Sequence, residues 1–136
     1  MERNEFLKKC GALCLSGIGL SALQGCKAAY YIPNTLTGNK LAVNKSDFLE
    51  HTWVLVKSER FAEPIYLRKL QEDQYSAVLL HCTHKGCEVN PADDYLVCPC
   101  HGSEYTAIGK VVHGPAERDL HKFAVSTDQE KIYIQL

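Results

Sequence analysis

Two short runs, Cys82-Thr83-His84-Lys85-Gly86-Cys87 and Cys98-Pro99-Cys100-His101-Gly102-Ser103, concentrate the residues of this chain that can do chemistry. The first reads Cys-x-His and the second Cys-x-x-His, so each offers one thiolate and one imidazole, with Cys87 and Cys100 placed to bridge the two runs. Two sulfur and two nitrogen donors form the ligand set of a mixed-ligand iron–sulfur centre. Exchanging two thiolates for neutral imidazoles removes about two units of negative charge from such a centre and favours taking up an electron. The imidazole nitrogens not bound to iron can then gain or lose protons with the redox state. Two rival readings use the same residues: a Cys2His2 zinc site, and a disulfide-knit domain whose histidines merely satisfy turns. Zinc sites use short Cys-x-x-Cys and His-x-x-x-His spacings within each pair, whereas here each run pairs Cys with His.

The two runs resemble the cluster loops of the Rieske family, and the resemblance extends over residues 82–120. It implies that Cys82 and Cys98 hold one iron of a [2Fe–2S] cluster and His84 and His101 the other, while a Cys87–Cys100 disulfide clamps the loops. The disulfide places the chain in the high-potential, respiratory-type branch. Ser103 and Tyr105 have the spacing at which respiratory members donate hydrogen bonds to a bridging sulfide and to a ligand cysteine sulfur, which stabilises the reduced state. Gly109 to Leu120 resembles the family's proline loop, in which Gly114-Pro115-Ala116 shields the cluster from water and the fixed φ of proline suits a rigid cover. Three departures stand out. Only 13 residues separate His84 from Cys98, so the hairpin between the loops is short. Lys85 stands where quinol-oxidising relatives place an apolar residue at the cluster tip. A lipid takes the place of the expected membrane helix. His51, His81, His113 and His121 lie outside the pattern and receive no functional assignment.

The elements that must position these loops are read from the rest of the chain. Its 136 residues suit one domain, and 46% apolar against 23% charged residues is the composition of a folded protein. Fifteen basic and 16 acidic side chains give a net charge of −1 with no basic stripe, which argues against nucleic acid as a partner. Beyond residue 40, strand-length bursts of β-branched and aromatic residues recur at 41–43, 52–56, 65–70, 75–80, 95–97, 110–112, 123–125 and 132–136. Turn residues such as Glu63-Pro64, Pro91 to Asp94 and Gly114-Pro115 separate them. This spacing predicts an all-β fold, an antiparallel sandwich or small barrel over 41–136 carrying a subdomain of two cluster-binding loops. Only 46–50 reads as a helical turn.

The amino terminus reads as an address. Arg3, Lys8 and Lys9 precede an uncharged run of 14 residues, Cys10 to Leu23, shorter than the roughly 20 that a membrane-spanning helix needs. A signal peptide over 1–25 fits better. The run ends in Leu23-Gln24-Gly25-Cys26, which resembles a lipobox and makes Cys26 the expected site of lipidation. Arg3 to Lys8 also resembles a twin-arginine export motif with Asn4 in place of the second arginine. The alternative is an uncleaved amphipathic or buried helix. Residues 26–40, punctuated by Pro33 and Gly38, read as a lipidated tether.

Together these features predict an exported, membrane-anchored one-electron carrier with a [2Fe–2S] cluster and no catalytic site of its own. Its expected place is the iron–sulfur subunit of a quinol–cytochrome c reductase-like complex, with cytochrome b- or c-type partners. The alternative is the small subunit of an arsenite-oxidase-like periplasmic oxidoreductase, with that enzyme's large subunit as partner.

Overall fold

The structure is a computed structural model in which residues 29–136 are described. The expected signal peptide, lipobox and Cys26 lie outside the described residues. Three four-stranded antiparallel sheets make up the described residues. The base sheet has the order β1-β2-β12-β11, from Thr35–Thr37, Lys40–Asn44, Lys131–Gln135 and Val125–Thr127. The central sheet, β10-β5-β4-β3, is formed by Lys122–Phe123, Gln74–Leu79, Ile65–Gln71 and Trp53–Val56. The third, β6-β7-β8-β9, is formed by Asn90–Ala92, Tyr95–Val97, Glu104–Thr106 and Val111–His113. A single 3-10 turn, Lys45–Phe48, is the only helical element among the described residues.

The central sheet explains the near-continuous apolar runs of its strands, since a sheet covered on both faces buries every residue rather than every second one. Val54, Val56, Ile65, Leu67, Ala77 and Leu79 point to one side, into a core completed by Leu41, Val43, Ile132 and Ile134 of the base sheet. Their neighbours Leu55, Tyr66 and Val78 point to the other, with Leu80 following the strand, into a second core that includes Leu96 and Tyr105 of the third sheet. Cys82 and Cys98 are members of this second core, each at most 2% exposed. The loops that carry them are therefore rooted in packed apolar structure.

The domain starts before residue 41. From residue 29 on, the expected tether is part of the fold: Ile32 is buried in the first core and Tyr30 packs against it. Ile32 N–H donates to the Leu55 carbonyl at 3.1 Å, and Thr35–Thr37 pairs antiparallel with Lys40, Leu41 and Ala42 of β2. Tyr30 stacks on His51 with ring centroids 4.0 Å apart. The physical reason is that an unpaired β2 edge and an open core face are closed by these residues, which outweighs their lack of a periodic pattern.

Strand directions give the molecule two distinct ends. Strand β5 runs toward Leu80 and the first loop, and β7 runs into Cys98. Ala29, by contrast, lies beside Thr52 and Trp53 at the start of β3 and beside Asp93 and Asp94 at the tip of the β6–β7 hairpin. The chain thus enters the described domain at the end away from the Cys/His loops.

Candidate metal centre

The two loops share one backbone design. Gly86 N–H donates to the Cys82 carbonyl at 2.8 Å, and Gly102 N–H to the Cys98 carbonyl at 3.0 Å. One residue further, Cys82 N–H donates to the Cys87 carbonyl and Cys98 N–H to the Ser103 carbonyl, at 2.9 and 2.8 Å. Each loop turns through a glycine in the left-handed region, φ 80° at Gly86 and 78° at Gly102, a conformation that a side chain resists. The matching turns bring corresponding atoms together. Backbone N–H groups two and three residues on, from His84 and Lys85 in one loop and from Cys100 and His101 in the other, serve the two thiols. Successive N–H groups of this kind form a concavity that favours negative charge.

The predicted donors fall into two pairs. Cys82 and Cys98 are free and buried, and close enough for the charge on one to act on the other. The rings of His84 and His101 meet edge-on with centroids 4.8 Å apart. His101 is exposed, whereas His84 is half-buried and its Nδ1 is buried without any hydrogen-bond partner. An orphaned buried nitrogen is costly unless something binds it. Cys87 and Cys100 form a disulfide with Cα atoms 6.5 Å apart that ties the loops together. The sulfurs of Cys87, Cys98 and Cys100 also lie within 4.8 Å of one another, but two of them are spent in that disulfide.

Burial raises the Cys82 thiol, yet the Tyr105 hydroxyl, the N–H groups of His84 and Lys85 and the Cys98 thiol outweigh it and hold Cys82 below the ordinary thiol value. At Cys98 burial prevails over the N–H groups of Cys100 and His101, with Cys82 acting in the same direction, and the thiol is pushed up. The two thiols are coupled, so a charge on one holds back ionisation of the other. Burial and then the neighbouring Cys82 raise Tyr105, which keeps its proton and its capacity to donate.

Tyr105 Oη lies 3.3 Å from Cys82 Sγ and accepts the Thr83 N–H at 3.2 Å. Thr83 Oγ1 gives its single proton to the Arg118 carbonyl at 2.6 Å, so toward Tyr105, 3.1 Å away, it acts as an acceptor. Ser103 Oγ accepts the Ala116 N–H at 2.9 Å, leaving the serine proton free to donate. The segment containing Gly114 and Pro115 is thereby pinned at Ala116 by one loop and at Arg118 by the other. Sequence reasoning misses the role of Thr83, and it places Ala116 in the cover without disclosing its tie to Ser103. The equal Cys-to-Gly spacing of the two runs is the signal that would have disclosed the paired turns. The remaining histidines sit in ordinary surroundings: His81 Nδ1 is 3.1 Å from Glu63 Oε2, His121 meets Phe123 edge-on at 4.6 Å, and His113 lies exposed on β9.

These residues fit a [2Fe–2S] cluster: two free buried thiols with N–H groups directed at them, and a paired imidazole with an unsatisfied buried nitrogen. Comparison with known proteins agrees. Residues 35–124 match the family described as the Rieske [2Fe-2S] domain. The cytochrome b6-f complex iron-sulfur subunit of Synechococcus sp. (strain CC9605) is 30% identical over 152 residues, covering 98% of this chain and 84% of that protein. The cytochrome b6-f complex iron-sulfur subunit 1 of Nostoc sp. (strain PCC 7120) is 32% identical over 154 residues with the same coverage. The crystal structure of the cyanobacterial plasma membrane Rieske protein PetC3 from Synechocystis PCC 6803 superposes with a TM-score of 0.59 at 34% identity, over 69% of this chain and 99% of that one. With its two rooted loops, its disulfide and a match that spans most of its length, this chain belongs to the Rieske [2Fe-2S] domain family and carries a [2Fe–2S] cluster.

Proposed function

We propose that this protein is a one-electron carrier, the iron–sulfur subunit of a quinol–cytochrome c reductase-like complex, with Cys82 and Cys98 as ligands of one iron and His84 and His101 of the other. The observation that carries the ligand assignment is the orphaned Nδ1 of His84, buried beside the ring of His101, with two free thiols in the core behind it. When bound, the cluster supplies reversible one-electron chemistry at the potentials of Rieske centres, about −150 to +300 mV. The chain supplies the setting. Backbone N–H groups and the Tyr105 hydroxyl offset negative charge on the thiolates, and the free Ser103 proton adds a further donor. The pinned segment with Gly114 and Pro115 covers the loops, and its buried Ala116 excludes water from that side. The exposed His101 leaves an edge of the site accessible to a partner.

Relatives that match nearly the whole chain are cytochrome b6-f subunits, which supports membership of a quinol-oxidising membrane complex. A disulfide persists in an oxidising compartment, which supports an extracytoplasmic location. Removal of residues 1–25 and acylation of Cys26 attach the protein to the membrane surface; more than one acyl chain is needed for stable anchoring. Electron paramagnetic resonance of the dithionite-reduced protein tests the ligand set. His84→Ala and Cys98→Ser lose both the mixed-ligand signal and iron, while His113→Ala keeps them. Unchanged iron content and signal in His84→Ala would refute the assignment.

A further inference from the structure

A depression of about 660 Å³ opens between the first loop and the covering segment. Its rim carries Lys85 and Arg118, and its walls include His81, Gly86, Asp119 and His121 beside the Cys82–His84 turn. Lys85 and Arg118 are exposed, and neither forms an ion pair among the described residues. The one carboxylate in the lining, Asp119, already accepts the Val111 N–H at 2.9 Å. Glu63 is held by His81 behind the wall, and Glu117 lies on the covering segment without lining the depression. The two free cations are therefore not neutralised locally. Arg118 is fixed at the rim through its own carbonyl, which Thr83 grips.

Apolar contact cannot be what this surface offers. None of the exposed large apolar side chains, Leu49 and Val112 included, lines the depression. A partner seated here is held by charge, the mode of small, transient redox encounters. Residue 29, the first of the described residues, lies at the opposite end of the domain.

We infer that the depression is the docking surface for an acidic redox protein, whose carboxylates pair with Lys85 and Arg118 and bring its redox centre against the His84 side of the site. This rests on the electron-carrier reading and adds the chemistry of the partner. In the transfer one electron passes from the reduced protein to, for example, a ferric haem, which becomes ferrous; the donor is oxidised by one electron and no group is transferred.

The test uses the full-length, cluster-loaded protein and two probes that differ in charge: a basic cytochrome c, and the same cytochrome with its lysines succinylated. At low ionic strength the reduced protein delivers its electron to the succinylated form about tenfold faster, as expected for steered association. The advantage fades as salt shortens the screening length from about 10 Å at 0.1 M toward 3 Å at 1 M. The Lys85→Glu/Arg118→Glu variant reverses the preference. Comparing the ratio of the two rates between variant and parent cancels any change in driving force that the substitutions cause. Binding of the succinylated cytochrome to the oxidised protein, measured by titration, is salt-sensitive and is lost in the double variant. A parent that prefers the basic cytochrome, or a variant with an unchanged rate ratio and unchanged binding, overturns the inference. Salt-sensitive binding without electron delivery to either cytochrome upholds the docking surface and instead refutes the carrier reading.

Discussion

Replacing Tyr105 by Phe removes one hydroxyl from the interior and leaves the ring, so it separates hydrogen bonding from packing. The hydroxyl is fully buried, 3.3 Å from Cys82 Sγ. A donor facing a ligand sulfur stabilises negative charge, and reduction adds negative charge, so its loss destabilises the reduced state more than the oxidised one. The potential must fall. A hydrogen bond to a charged group contributes about 1.5–3 kcal/mol. Here the single tyrosine proton is shared with Thr83 Oγ1 at 3.1 Å, and the bond exists in both oxidation states, so only part of that energy is differential. Taking the differential part as about 1 kcal/mol gives a drop of about 40 mV for one electron. The same change strips the Thr83 N–H of its acceptor, which lowers folding stability by about 1–3 kcal/mol. A redox titration followed by circular dichroism, normalised to bound iron, reads the first effect, and denaturant unfolding reads the second. A potential that stays put or rises in the iron-loaded variant would show that Tyr105 does not serve the sulfur.

Two further perturbations address the loops themselves. Cys87→Ser/Cys100→Ser opens a cross-link between residues 13 apart, a loop length for which closure entropy gives about 3 kcal/mol; the expected result is that much loss in unfolding free energy, together with faster loss of iron to a chelator. Gly86→Ala and Gly102→Ala both place a side chain at positive φ, but only at Gly86 does the new Cβ meet a neighbour, the His81 ring at 3.0 Å. Gly86→Ala is thus the more destabilising of the two, and equal melting temperatures would contradict the crowding at that turn.

What the sequence discloses follows from where each signal originates. Strands β2 to β5, β7 and β12 are legible because their own β-branched and aromatic residues are buried, on two faces in the central sheet. Strands β1, β6 and β8 are not. All three residues of Thr35–Thr37 are exposed, and Asn90–Ala92 contains a proline that only an edge strand tolerates. Glu104–Thr106 has a single buried side chain. These strands exist because a neighbour supplies hydrogen bonds, which is information held elsewhere in the chain. Likewise, Ile32 joins a core whose other members lie at least nine residues away. In the site, the candidate donors stand out because thiols and imidazoles advertise their chemistry through type and spacing. The pins of the covering segment are not, since Thr83 reaches Arg118 across 35 residues and Ser103 reaches Ala116 across 13.

The matching loops also explain why the two halves of the donor set face different surroundings. The backbone design is common to both runs up to the glycine, so the leading cysteines occupy equivalent positions, rooted in the core at 2% and 1% exposure. The imidazoles occur one register apart, at the second residue after Cys82 and the third after Cys98, and leave one ring half-buried and the other exposed. Charge on the thiolates is thus met by fixed N–H dipoles in a dry interior, where reorganisation on electron uptake is small and hydrogen bonds are electrostatically stronger. The nitrogen end meets the solvent, where a partner can approach and where protons can exchange. In the proposed ligand set the neutral imidazoles favour electron uptake at the nitrogen end, the hydrogen bonds at the sulfur end offset the added charge, and the rim cations Lys85 and Arg118 stand beside the nitrogen end, where the electron would leave.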